Sequence, residues 1–105
     1  MDNHLIKFNG IAWESPTKGV QQKVYIKGKQ RLRLLEFSED FVEVDWCTKG
    51  HIGFVLSGSM SIDFDGKIES YQVGDALWIE TGEAEKHKVL MKKGEIVQLI
   101  LFEDL

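Results

Sequence analysis

Short apolar segments punctuated by glycine fill the chain from Val20 onward. Val24, Tyr25 and Ile26 lead through Lys27-Gly28-Lys29 to Leu32, Leu34 and Leu35, the pattern of a hairpin. Residues 41–46 alternate strictly, with Val42, Val44 and Trp46 set against Glu43 and Asp45. A continuous apolar run at 52–56 stops at Gly58, and Met60, Ile62 and Phe64 then alternate with Ser59, Ser61 and Asp63. Asp65-Gly66 follows, and it suits a type I′ turn because both central residues of that turn need positive φ. Tyr71 and Val73 run into Gly74-Asp75, a second turn, and then into a strand at 76–79. His87, Val89 and Met91 alternate with Lys88, Leu90 and Lys92, and residues 96–102 form the last strand. No window keeps a helical apolar stripe, and residues 79–87 read as an exposed loop. The pattern predicts an all-β domain of about eight short strands, arranged as a sandwich, a barrel or a jelly roll.

Composition narrows the setting. The 105 residues suit one domain, 1–105, with a core barrel at 20–103 and an N-terminal arm at 1–19. Apolar residues make up 43% and charged residues 29%, the balance of a soluble globular protein. The formal net charge of -4, with no basic patch, argues against a nucleic-acid partner. Apolar runs are too short to span a membrane. Met1-Asp2-Asn3-His4 has no basic segment followed by an apolar one, so a cytoplasmic protein is expected. Cys47 is the single cysteine, and its thiol is free for packing, metal or redox chemistry. No phosphate-cradling glycine loop, nucleophile elbow or Ser/His/Asp motif is present.

Residues 46–58 (Trp46-Cys47-Thr48-Lys49-Gly50-His51 through Val55-Leu56-Ser57-Gly58) resemble the first motif of the cupins. Residues 74–82 (Gly74-Asp75-Ala76-Leu77-Trp78-Ile79-Glu80-Thr81-Gly82), followed by His87, resemble the second. Fifteen residues separate Gly58 from Gly74, the spacing of small single-domain cupins. The resemblance covers residues 42–102 and implies a double-stranded β-helix, the jelly-roll barrel of that family. In the family the first motif carries two histidines and a glutamate before its glycine. Counted back from Gly58, those positions are Asp45, Cys47 and His51; the histidine of the second motif has its nearest counterpart in His87. The usual three-His, one-Glu set is thus replaced by Asp-x-Cys-x3-His with His87.

A thiolate and two imidazoles suit a divalent ion such as zinc, iron, manganese or nickel, with Asp45 or water as a further ligand. His87 is in phase with Val89 and Met91, which predicts that it faces inward. Asp45 and Cys47 share a strand face opposite Val42, Val44 and Trp46. If those three fill the barrel, Asp45 and Cys47 point out; a bend before Cys47 reconciles the two. Each residue also has a plainer reading: Cys47 as a small buried hydrophobe, His51 and His87 as core histidines, Asp45 as a solvated strand residue. Phe54 and Trp78 are candidates for a pocket rim or an interface. The expected function is a cupin that binds a small polar molecule, such as a sugar or carboxylate, with or without a metal. The alternatives are a metal-dependent enzyme of isomerase, dioxygenase or hydrolase type, and a non-catalytic sensor or assembly module. A homodimer is expected, because a second copy would cover the edges of so small a barrel.

Overall fold

The protein is described by a computed structural model covering residues 4–105; the first three residues of the expected arm lie outside it. Seven strands occur among the described residues: β1 (Val20–Lys27), β2 (Gln30–Ser38), β3 (His51–Phe64), β4 (Lys67–Gln72), β5 (Ala76–Ile79), β6 (Lys88–Leu90) and β7 (Ile96–Asp104). All pairings are antiparallel. The larger sheet runs β1-β2-β7-β3-β5, and the second half of β3 pairs with both β4 and β6 in the smaller one. The all-β jelly-roll expectation holds. No helix is long and apolar enough to cross a membrane among the described residues.

The hairpin of β1 and β2 turns at Gly28-Lys29, as the pattern predicts. Asp65 at φ 53° and Gly66 at φ 102° both occupy the left-handed region, so the Asp-Gly turn between β3 and β4 also forms as expected. The runs on either side of Gly58 do not become two strands. They form one 14-residue strand, β3, which crosses from one sheet to the other. A bulge between Val55 and Ser57 takes up the bend, and Gly58 follows at φ 75°. A Cβ at Gly58 would lie 1.8 Å from the Ile96 carbonyl oxygen, so only glycine lets β3 and β7 approach there.

Between the sheets lie Val20, Leu35, Phe37, Val55, Met60, Ile62, Leu77, Ile79, Val97, Leu99 and Leu101, all buried. The inward set alternates along each strand, as a half-buried sheet requires. Residues 41–46 depart from expectation, because they form no strand. Val42 and Val44 are each 75% exposed. Trp46 also turns outward and stacks on Lys88 and Lys86, with ammonium-to-ring distances of 4.4 and 5.5 Å. The alternation is real but its apolar side faces solvent, with Glu43 and Cys47 on the inner side. Upstream, the arm folds back on its own β1: Glu14 pairs with Gln22, and Lys23 Nζ donates to the Phe8 carbonyl beneath the Trp13 ring.

Gly58→Ala is expected to cost at least about 2 kcal/mol, combining positive-φ strain with the backbone clash. For a domain of this size that lowers the thermal midpoint by roughly 10 °C. Gly10, with nothing within 4 Å of an added Cβ, should accept alanine with little change. Equal midpoints for the two variants would contradict this account of the strand crossing.

Candidate metal centre

Two backbone devices bring the chemistry together. Cys47 and His87 face each other in an isolated antiparallel bridge, with Cys47 N donating to His87 O at 2.9 Å and His87 N to Cys47 O at 3.0 Å. The bridge places one residue of the irregular 41–50 segment directly across from the strand that leads into β6. His51, the first residue of β3, lies opposite Ile79 of β5 and on the same inner face as Gly53 and Val55. Gly82 N bonds Thr48 O, and Gly50 N bonds Thr81 Oγ1, so the loop joining Cys47 to His51 is stitched to the loop after β5.

The result is a cluster in which one donor atom from each of Cys47, His51 and His87 lies within 4.8 Å of the others. Cys47 Sγ is 3.8 Å from His51 Nε2. The two imidazole rings meet edge to face with centroids 5.3 Å apart. His87 is buried, and its Nδ1 donates to the Glu85 carbonyl at 3.0 Å, which commits that nitrogen and leaves Nε2 bare. His51 Nδ1 touches Glu103 Oε2, so a buried carboxylate stands directly behind this imidazole. A carboxylate or carbonyl behind each imidazole is the support that orients histidine ligands.

Glu103 on β7 has no exposed side-chain surface and is held by Arg31 at 2.9 Å and Arg33 at 2.7 Å. Burial opposes its charge, but His51 and Arg33 outweigh burial and hold its pKa down at about 2. Cys47 is lowered to about 5 by hydrogen bonds from His51 and then His87. Burial works against both imidazolium ions, yet Cys47, joined by Glu103 at His51 and by the Glu85 carbonyl at His87, leaves both histidines raised. Glu43, by contrast, is raised by burial, although the Val89 N–H donates to its Oε1 at 2.7 Å.

These groups sit at one wall of a cavity of about 240 Å³ inside the barrel. Leu35, Phe37, Phe41, Met60, Ile62 and Leu99 supply apolar wall, and Glu43, Gln22 and Arg33 add polar points. Three residues singled out in the sequence lie elsewhere. Asp45 is exposed and outside the cluster, because the chain bends there and only Cys47 enters the bridge with His87. Phe54 and Trp78 do not line the cavity. They stand on the outer face of the larger sheet, since Gly53, Val55, Leu77 and Ile79 take the inward positions of the same strands. Glu43 and Glu103 were not singled out. Glu43 reads as an ordinary polar member of an alternating strand, and Glu103 lies outside both motifs. An acidic residue in phase with Val97, Leu99 and Leu101 was the available signal for Glu103.

No family model matches the chain, and no curated protein matches it. Solved structures do. The polyketide cyclase RemF from Streptomyces resistomycificus superposes with a TM-score of 0.79 at 17% identity, covering 98% of this chain and 80% of that one. An RmlC-like cupin from Shewanella frigidimarina NCIMB 400 gives 0.78 at 14% identity, covering 98% and 91%. KdgF from Halomonas sp. gives 0.78 at 16% identity, covering 99% and 96%. At these identities the likeness establishes the fold, which is that of the small cupins.

In metal-free protein, alkylation of Cys47 should stay near its plateau down to pH about 6 and fall only as pH drops through about 5. An ordinary thiol already loses rate below about 8.5. His51→Ala should move the midpoint back toward that ordinary value. A wild-type midpoint above about 8 would contradict the thiolate–imidazolium arrangement.

Proposed function

From the cupin fold and the geometry of its interior, we propose that this protein binds a divalent metal through Cys47, His51 and His87 and receives a small molecule in the cavity beside it. The observation that carries the reading is convergence: a low-pKa thiol and two imidazoles with their Nδ1 atoms already engaged meet at one cavity wall. That donor set, soft sulfur plus two nitrogens, suits zinc among the common ions. A bound ion there would act as a Lewis acid toward a carbonyl or a water.

The chain's own residues supply the rest. Glu103, fixed by Arg31 and Arg33, orients His51. The Glu85 carbonyl orients His87. Glu43, with one oxygen tied to Val89 N and a raised pKa, lines the cavity near the cluster and can hold a proton for a ligand or for its reaction. The walls are mainly apolar, which favours a ligand with an apolar body and one or two polar groups over a sugar.

A second reading draws on one further observation. Cys47 Sγ, His51 and Glu103 lie in series, the order of a thiolate nucleophile, its imidazole partner and an orienting carboxylate. In that reading Cys47 attacks an electrophilic ligand directly, and metal binding would block it.

Metal analysis separates the two. Metal-free protein incubated with Zn²⁺, Fe²⁺, Mn²⁺ or Ni²⁺ should take up about one Zn²⁺ per chain, and Mn²⁺ least tightly. Zinc should protect Cys47 from alkylation, and His51→Ala and His87→Ala should each weaken uptake by roughly 10-fold or more. Uptake unchanged in both variants, or no uptake of any of the four ions, refutes the metal reading.

A further inference from the structure

Charge in the interior cavity does not balance. Arg31 and Arg33 share a single carboxylate, Glu103, and both guanidinium groups are themselves largely buried. One positive charge is left over at this end of the barrel. A divalent ion on Cys47, His51 and His87 adds two more, of which the thiolate cancels one, because both imidazoles ligate in neutral form. Two further carboxylates belong to the count. Glu43 lines the cavity and, even fully ionised, removes only one charge. Glu14, whose Oε1 accepts from Gln22 Nε2 at 2.8 Å, is exposed to solvent, which screens it. The metal-loaded site therefore keeps at least one positive charge.

The rest of the cavity is poor in polar groups. Leu35 and Leu99 come from the larger sheet, and Met60 and Ile62 from the smaller. Phe37 and Phe41 stack beside them with their rings 9° from parallel. Gln22 is spent on Glu14 and, through Oε1 at 3.0 Å, on Arg33. Pro16 and Thr17 line the cavity and are exposed, which places them at its mouth. The volume of about 240 Å³ is below the roughly 300–1,000 Å³ of pockets that hold drug-sized ligands.

We propose that the ligand of this cavity is a small monoanionic acid with an apolar body, an aryl or short alkyl carboxylate. Its charged head lies toward Arg33 and the three metal donors, and its body lies between the two sheets. An unbalanced charge beside apolar walls is costly, and a ligand of opposite charge offsets that cost. A polyhydroxylated ligand would leave its own hydroxyl groups unpaired against leucine and phenylalanine. The proposal rests on the metal reading and narrows it, because the ion supplies part of the excess charge.

Three probes test it: benzoate, benzamide and glucuronate. Each is titrated by calorimetry into the full chain loaded with zinc, and the zinc content is measured on the same sample. Benzoate should bind at least about 10-fold tighter than benzamide, which has its shape without its charge. It should exceed glucuronate by a similar factor, because glucuronate keeps the carboxylate and loses the apolar body. About one zinc per chain with no benzoate binding, or with either competitor binding as tightly, overturns the ligand class and leaves the metal reading standing. Failure to take up zinc overturns both. Thr17→Glu and Thr17→Gln then locate the site, since they put side chains of equal length and different charge at the mouth. Benzoate should bind roughly 5-fold more weakly to the Glu variant than to the Gln variant. Equal affinity in the two places the anion outside the cavity and overturns the proposal.

Discussion

A buried carboxylate governs this molecule. Glu103 sits with no exposed side-chain surface between Arg31, Arg33 and His51. A carboxylate taken out of water is tolerated only where opposite charge and hydrogen bonds replace the solvent, and removing one partner leaves the others uncompensated. Arg33 grips both oxygens, through Nε at 2.7 Å and Nη2 at 2.9 Å, while its Nη1 reaches Gln22 Oε1 at 3.0 Å. The cluster thus ties β1, β2, β7 and the start of β3 at one end of the barrel. His51 takes its place in that network as a partner of Glu103, and its other ring nitrogen is turned toward Cys47. Stability and chemistry meet at His51, which faces the buried Glu103 on one side and, on the other, hydrogen-bonds Cys47 and holds its thiol pKa down.

The second anchor is the bridge between Cys47 and His87. The 41–50 segment leaves the sheet but is held at several points along its length. Glu43 takes the Val89 amide, Trp46 lies against the aliphatic and cationic ends of Lys86 and Lys88, and Cys47 pairs with His87. Phe41 stacks on Phe37 with ring centroids 4.8 Å apart, anchoring the segment's start to the core. An irregular stretch pinned at both ends can place a thiol inside a cavity where a regular strand would set its neighbours by strict alternation. The apolar residues Val42 and Val44 are left outside as a consequence.

Much of the fold is legible in the sequence because local signals and long-range packing agree. Asp65-Gly66, Gly74-Asp75 and Gly28 mark turns that form where expected, and the phase of His87 with Val89 and Met91 correctly turns that imidazole inward. Where the structure departs from the pattern, the cause is tertiary. Alternation reports which residues share a face but not which face is inside, so Val42, Val44 and Trp46 could be assigned to the core when they lie outside it. The same ambiguity affects Phe54 and Trp78, apolar residues on strands whose inner positions are already filled by Val55, Leu77 and Ile79. Gly58 looked like a strand end and proved to be a crossing point, because closeness to Ile96 is a tertiary fact with no local signature. Of the site, Cys47, His51 and His87 were visible through motif spacing. Glu103 was hidden because its importance depends on β2 and β3 bringing arginine and histidine to it from distant parts of the chain.

The central claim is that three donors from separate elements converge on one ion position. X-ray absorption of the zinc-loaded protein tests this most directly, because it reads the ligand shell itself. The account predicts one sulfur at about 2.3 Å and two imidazole nitrogens at about 2.0–2.1 Å, completed by a light atom. A shell of oxygen and nitrogen without sulfur, or one with two or more sulfurs from separate chains, would contradict it.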